Sequence, residues 1–575
     1  MNRRLFLQSS FGAATWCGLG WPRLAADPAE KRFPLLDQLV RANDERVDSL
    51  LPQQQRRTGH PAVGSLSDAH GIPTVHATAH FVTTLGCAIA AAASLHHRSS
   101  GLIEPLESAA RYLLSAQHAD GTIDLISTNF HSPPDTAFVV ESLAPLVVIL
   151  RNEGWRPLER LQMDLERFLR RAGTALATGG LHTPNHRWVV CAALARIHSL
   201  YPEERYVTRI EQWLAEGIDL DPDGQYTEKS TTVYSPVVNR ALLTVARLLD
   251  RPQLREPVRR NLEMTLYYVH PDGEVVTEAS RRQDRYQRGS MGRYYYSYRT
   301  LALLERNGRF AAMARQIERT ALPQLTGELA AFLEEPELQR ELPPDEPLPT
   351  DYVKTFAHSH LARIRRGNVS ATVLARNSTL FSLRRGAAAL EAVRVASAFF
   401  GKGQFVAGEL EVLPGGYRLR QHLEGPYFQP LTADQIVPGE PVSIAPNGTL
   451  AIDGRALRAR SNVQTLESTI EVAEGNGGFA LHLDITGTDG VPVAVELGFR
   501  RGGSLAGVEA VPGVPDAFLL TDGHGRYRSG GDTIQFGPGR ADHTWTQLRG
   551  ALPKWDGLSV YLTGLTPFRL TLNLT

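Results

Sequence analysis

The feature that most constrains how this chain folds is a change of hydrophobic period part-way along it. From about residue 30 to 335, apolar residues recur at i, i+3, i+4 spacing, as in segments 106–116, 137–150, 188–200, 236–249 and 294–304. These segments are rich in Ala, Leu and Arg, which suits helices. Beyond about residue 352 the pattern shortens. Segments 369–375, 479–485 and 568–574 alternate or run apolar between Gly, Asn and Asp turns, as strands of an antiparallel sandwich do. Between the two lies 334–349, with five prolines and a run of acids. Proline lacks the amide a helix needs, so this stretch reads as a linker.

At 575 residues the chain exceeds what one core holds. The predicted division is a signal peptide at 1–26, a helical domain at 27–335, a Pro-rich linker at 336–351 and a β-sandwich at 352–575. Within the helical part, turn signals stand at Asp120-Gly121, Gly179-Gly180, Asp223-Gly224 and Asp272-Gly273, with glycine spacings of 59, 44 and 49 residues. A spacing near fifty fits one helix out and one helix back, and stacked hairpins of this size bury each other's faces. The expected fold is multidomain, α then β: an incomplete α/α toroid followed by an antiparallel β-sandwich. An open helical solenoid fits the same repeat.

Lys plus Arg equals Asp plus Glu at 61 each, so no global field draws nucleic acid, and an anionic ligand would need locally clustered cations. Asn2-Arg3-Arg4-Leu5-Phe6-Leu7-Gln8, the apolar stretch 11–21 and Leu24-Ala25-Ala26 read as a twin-arginine signal cut before Asp27, which implies a periplasmic or secreted protein. An N-terminal amphipathic anchor is the alternative. The apolar stretch is too short to span a bilayer, and no membrane span is expected. Cys87 and Cys191, the cysteines left in the mature chain, sit in Ala-rich helical patterns and read as buried small hydrophobes.

The same phase of the repeat carries the polar residues. They are Asn129, His131 and Asp135 after the first turn, Asn185-His186-Arg187-Trp188 after the second, Tyr226, Glu228, Lys229 and Tyr234 after the third, and Glu278, Arg281, Arg282 and Arg285 after the fourth. Asn185 can cap a helix starting at His186, whose mouth would favour an anion. Trp188, Phe130, Tyr226 and the run 294–296 are candidates to stack on sugar rings.

Asn185-His186 at a helix start resembles the Asn-His element of heparinase II/III-like polysaccharide lyases and related alginate lyases. Asp223-Gly-Gln-Tyr-Thr-Glu-Lys-Ser-Thr-Thr-Val-Tyr234 is similar to their Asp-Gly, aromatic, Glu-Gly-Ser and Tyr element, with Lys229 where those enzymes commonly have Gly. The resemblance implies an enzyme, a carbon–oxygen lyase that cleaves a uronic-acid-containing polysaccharide by β-elimination, with an acidic polysaccharide or oligosaccharide as its partner. It implies Asn185, His186 and Tyr234 as catalytic residues. Asn129, His131, Arg187, Trp188, Glu228, Arg281, Arg285 and His358 are expected to bind substrate. The family usually adds a sandwich histidine, near which His358 and His360 stand. His-x-His is also a metal half-site, but without a third ligand no metal and no cofactor is expected. Two other readings stay open: a glycoside hydrolase using paired carboxylates from Asp124, Asp135, Glu228, Asp272 and Glu278, and a non-catalytic polysaccharide-binding protein.

Overall fold

The computed structural model describes residues 34–436, 457–475 and 477–575. The export signal read at 1–26 lies outside them. The first half is built of five helical hairpins. Their inner helices are Val75–Ala90, Pro133–Glu153, Pro184–Leu200, Tyr234–Leu248 and Tyr295–Glu305. Their outer partners are Ile103–Ala116, Glu159–Thr178, Glu204–Ala215, Arg255–Thr265 and Gly308–Thr320. Each inner helix packs on its outer partner, and the first four each pack on the next inner helix. Pro34–Leu50 lies against the first inner helix, and the short helix Leu329–Glu334 returns to touch both it and the inner helices Val75–Ala90 and Pro133–Glu153. The result is an incomplete α/α toroid.

The two kinds of helix differ in sequence because they differ in surroundings. Outer helices keep a single apolar stripe, as with Leu161, Leu165, Phe168, Leu169 and Leu176 in Glu159–Thr178. Inner helices are enclosed almost all round, and every residue from Trp188 to Ile197 is buried. Pro133–Glu153 is the one helix, among the described residues, long and apolar enough to cross a membrane; 72% of its apolar window is buried inside the protein.

The repeat is written in backbone hydrogen bonds. The same tight turn occurs at 68–72, 118–122, 221–225 and 270–274. In each, the first amide bonds the fifth carbonyl, and a glycine amide bonds back to the first carbonyl. The glycines Gly71, Gly121, Gly224 and Gly273 all have positive φ, between +78° and +95°, a region that L side chains rarely adopt. Arg171 and Arg260, on successive alternate outer helices, donate to carbonyls at Gln117 and His118 and at Asp221 and Pro222 respectively. Gly179-Gly180 is not one of these turns: Gly179 ends its helix with φ −69°. The member that the sequence signal missed is Asp68 to Gly71.

Helices give way at Glu334 to a short 3₁₀ turn, Pro336–Gln339, and then to an extended path to Asp351. Arg315 pins that path by donating to the carbonyls of Leu342 and Pro343. Two sheets of nine and eight strands follow. They enclose one apolar core, with Val373, Phe381, Val393 and Leu497 from the nine-stranded sheet and Leu419, Ile470, Leu483 and Phe536 from the eight-stranded one. Pairing between these strands is antiparallel except between Ala517–Leu519 and Leu558–Leu565, which run parallel, as does the isolated bridge of Ala541 with Thr563. Met264, Tyr268 and Val276 of the helical half pack on Phe356, Leu361 and Leu374 of the sheet half, so the two halves share a small core of their own.

Candidate active site

All five inner helices begin on one rim, because every hairpin runs inner helix first. Polar contacts gather the first turns of four of them into two pairs. His76 Nε2 lies 3.9 Å from Asp135 Oδ1. Asp135 accepts from Asn129 Nδ2 at 2.9 Å and from Ser132 Oγ at 2.5 Å. Glu228, just ahead of Tyr234–Leu248, accepts the backbone amide of Asn185 at 3.0 Å and its Nδ2 at 2.6 Å. The other Glu228 oxygen faces Arg282 Nε at 3.7 Å. Arg282 sits 5.1 Å from the ring centre of Tyr234, and Gln283 Nε2 donates to the Tyr234 hydroxyl at 2.6 Å. Asn185, Glu228, Arg282, Gln283 and Tyr234 therefore form one continuous polar line.

Asn185 does not cap its helix. The helix starts at Pro184, so Asn185 lies inside the first turn, only 2% exposed, and its side chain is spent on Glu228. Asn185 Oδ1 is buried with no hydrogen-bond partner. Such an orphan costs about 1–3 kcal/mol, a cost that a ligand donor would remove.

His186 is half-buried, with its ring edge-on to His182 at 4.9 Å and to Phe138 at 6.1 Å. Burial first, then the neighbouring His182 and Arg282, push its pKa down to about 4 against the opposing pull of Asp135. The ring is thus neutral at neutral pH. Arg282 lies over the Tyr234 ring, and its charge also helps to lower the pKa of His186. The cavities of the helical half include two of about 290 and about 660 Å³. Phe138 lines the first and Gln283 the second, and Arg46 is a wall of both.

Several expected binding residues face elsewhere. Arg187 and Trp188 are held by acids that follow the outer helix Glu204–Ala215. Trp188 is fully buried and donates Nε1 to Asp219 at 2.9 Å. Arg187 pairs with Glu216 and Asp219 at 3.0 Å each and stacks on Trp188. Neither offers a face to a sugar, which corrects their expected roles. Tyr226 and Tyr294, Tyr295 and Tyr296 are core residues too, whereas Phe130 is 66% exposed at the rim. His131 stacks on His118 at 3.8 Å and bonds Asp120 at 2.8 Å, on the exposed side of Asn129. Arg285 donates to Asn377 Oδ1, which also accepts from the Tyr286 hydroxyl at 2.9 Å, while Asn377 Nδ2 donates to the Glu278 carbonyl at 2.8 Å. Arg285 thus fastens the 278–288 loop to the sheet half rather than facing the cleft. Arg281 is exposed beside Lys229, and the exposed turn residue His358 meets the helical half through its carbonyl, which accepts from Lys229 Nζ at 3.1 Å. Sequence reading missed Gln283 as a partner of Tyr234; its adjacency to Arg282 was the only signal. Among the described residues, no group of three or more His, Cys, Asp or Glu is arranged to hold a metal ion.

No protein-family model and no curated protein sequence matches the chain. Solved structures do. Chondroitin AC lyase from Streptomyces coelicolor, solved with chondroitin sulphate, superposes with a TM-score of 0.51 at 14% identity, over 96% of this chain and 80% of that one. Heparinase III gives a TM-score of 0.51 at 12% identity, over 93% and 82%. Paenibacillus xanthan lyase gives 0.55 at 9% identity, over 94% of this chain but 55% of the longer enzyme. Over nearly its whole length, then, the chain has the fold of solved polysaccharide lyases built from a helical ring followed by β-sheets.

Proposed function

We propose that this chain cleaves a uronate-containing polysaccharide by β-elimination, at the rim bordered by Asn185, His186 and Tyr234. The observation that carries this reading is the unbroken line Asn185–Glu228–Arg282–Tyr234 beside a neutral histidine. β-Elimination from a 4-linked uronate removes the proton at C5, holds charge on the carboxyl group and returns a proton to the departing O4. Arg282 brings positive charge to the developing enolate, usually the largest catalytic contribution. Asn185, bonded twice to Glu228, fixes where that carboxylate meets Arg282. In this reading His186 takes the C5 proton as the free base, and the Tyr234 hydroxyl, which accepts from Gln283 and so keeps its own proton to give, protonates O4.

Hydrolysis asks for two carboxyl groups across the scissile bond. Here Asp124 bonds His118, Asp135 holds Asn129 and Ser132, Glu228 holds Asn185, and Glu278 is buried under Thr372 and Ser382. That engagement favours elimination. Export to the periplasm or beyond, from the twin-arginine pattern, belongs to the same proposal, since polymeric substrates lie outside the cytoplasm.

The test is incubation with a panel of uronate polysaccharides, recording ultraviolet absorbance and reducing ends together. A lyase raises both, because its product carries a conjugated double bond. New reducing ends without absorbance would replace this reading with hydrolysis. Tyr234→Phe is expected to lower kcat at least about a hundredfold, the usual size of a general-acid contribution, while substrate Kd changes less than about threefold; a variant with near-normal kcat removes Tyr234 from the mechanism.

A further inference from the structure

On the sheet side of this cleft, three chain segments bring cations together. Lys229 directly follows Glu228, and its Nζ donates to the His358 carbonyl at 3.1 Å. The amide of Arg281, next to Arg282, donates to the Lys229 carbonyl at 2.8 Å. The amide of Ala375 donates to the His360 carbonyl at 2.9 Å, which sets Arg376 alongside His360. Arg281 and Arg376 each act electrostatically on both Lys229 and His360.

The backbone here is unusual. Lys229, His360 and Arg376 have φ of +49°, +56° and +52°, so three residues with large side chains occupy the left-handed region in one cluster. Such conformations persist where the surroundings over-determine them, and they gather at ligand sites. Here they bring Lys229, of the helical half, close to His360 and Arg376 of the sheet half; the Arg376 guanidinium also donates to the Gly408 carbonyl at 2.9 Å. The acids nearby are partly committed. Asp223 accepts the amide of Ser359 at 2.8 Å, and Glu409 pairs with Arg376 at 3.1 Å in an exposed contact that a stronger anion can displace. Among the described residues, neither Lys229 nor Arg281 makes an ion pair with a carboxylate. Burial and the adjoining Arg281 lower the pKa of Lys229 despite Asp221 and Asp223, as expected of a cation short of a counter-ion.

We propose that Lys229, Arg281, Arg376 and His360 form a second anion subsite, which takes a sulfate ester or a further carboxylate on the sugar next to the uronate being cleaved. This rests on the uronate-polymer reading of the cleft. It makes the number of anionic groups per disaccharide, rather than the uronate alone, the basis of substrate choice.

Isothermal titration calorimetry tests it, with chondroitin sulfate and heparan sulfate tetrasaccharides and their chemically desulfated counterparts, at several salt concentrations. The proteins are wild type, Lys229→Gln, Arg376→Gln, the double variant, and the charge-keeping Lys229→Arg and Arg376→Lys. The double variant is expected to bind a preferred probe at least about tenfold more weakly. Its slope of log Kd against log salt should fall by between one and two, as when a polyanion loses two cationic contacts. The charge-keeping variants should restore the slope, which separates lost charge from lost folding. An effect confined to sulfated probes assigns the subsite to sulfate, and one that survives desulfation assigns it to a carboxylate. Unchanged Kd and slope in the double variant overturn the subsite, as does a fall in kcat at unchanged Kd. Lys229-dependent binding without any double-bond product keeps the subsite and removes the lyase reading. Elimination at wild-type rates and affinities by the double variant does the reverse.

Discussion

Asn185 and His186 are neighbours in sequence and serve the cleft in different ways. The asparagine is locked, bonded twice to Glu228 with one oxygen left unpaired. The histidine is kept neutral by its surroundings, with a pKa lowered to about 4 rather than the reference 6.5. That shift has a kinetic signature. If His186 is the base, the acid limb of kcat/KM lies near pH 4 to 5, since the group stays unprotonated until pH falls through its folded value. A limb near 6.5 that vanishes in His186→Gln would show an unshifted histidine instead. Glu228 belongs to the same account: it accepts from Asn185 and faces Arg282, so its removal is expected to act through the position of those two.

Elements matter here through their first turns. The tight turn before an inner helix decides where that helix begins, and so which side chains reach the rim. Its glycine is needed for two separable reasons, backbone sign and space. At Gly224, φ is +95° and an added Cβ would sit 2.6 Å from the Arg260 carbonyl oxygen, which the outer helix cannot move. At Gly273, φ is +87° but the nearest atom is 3.6 Å away. Gly273→Ala is therefore expected to cost only the left-handed conformation, about 1 kcal/mol, and Gly224→Ala about 2–3 kcal/mol. Chemical denaturation of the two variants checks the order; equal losses would mean that the close approach to Arg260 is relieved without cost.

At the scale of the whole molecule, the sheet half holds the helical rim in place. Glu278 accepts from Thr372 and Ser382, and its neighbour His270 bonds Ser370 at 2.9 Å, all out of contact with water. Burial opposes the charge of Glu278, but His270, Arg363 and Arg384 outweigh it and hold the carboxyl well below the usual range. His270 is pushed down to about 4 by burial, which outweighs the attraction of Glu278. The unfolded chain therefore takes up a proton near pH 6.5 that the folded protein refuses until about pH 4, so stability is full above 6.5 and declines as pH falls through that window. The midpoint of thermal unfolding is expected to drop between pH 6.5 and 4, and His270→Gln to flatten that drop. Superimposable profiles would mean that this buried pair does not govern the acid response.

Sequence alone determined the order of the architecture and the phase of the rim. Hydrophobic period is a local property: a 3.6-residue stripe at 188–200 and a two-residue alternation at 568–574 each have one way to bury their apolar side. Asp-Gly turns are local as well, because positive φ selects glycine, and so 121, 224 and 273 were legible while the non-standard connection at 179–180 misled. Asn185 and Tyr234 were legible as candidates through the motifs they sit in. Their surroundings were not. Whether Arg187 or Arg282 meets the cleft depends on which way a helix faces and where a loop is fastened. Asn377, over ninety residues beyond Arg285, fastens that loop. Trp188 reads equally well as a sugar platform or a core residue until an outer helix and Asp219 are placed against it. Directions and partners of this kind are set by contacts between segments distant in the chain, so only the tertiary structure could decide them.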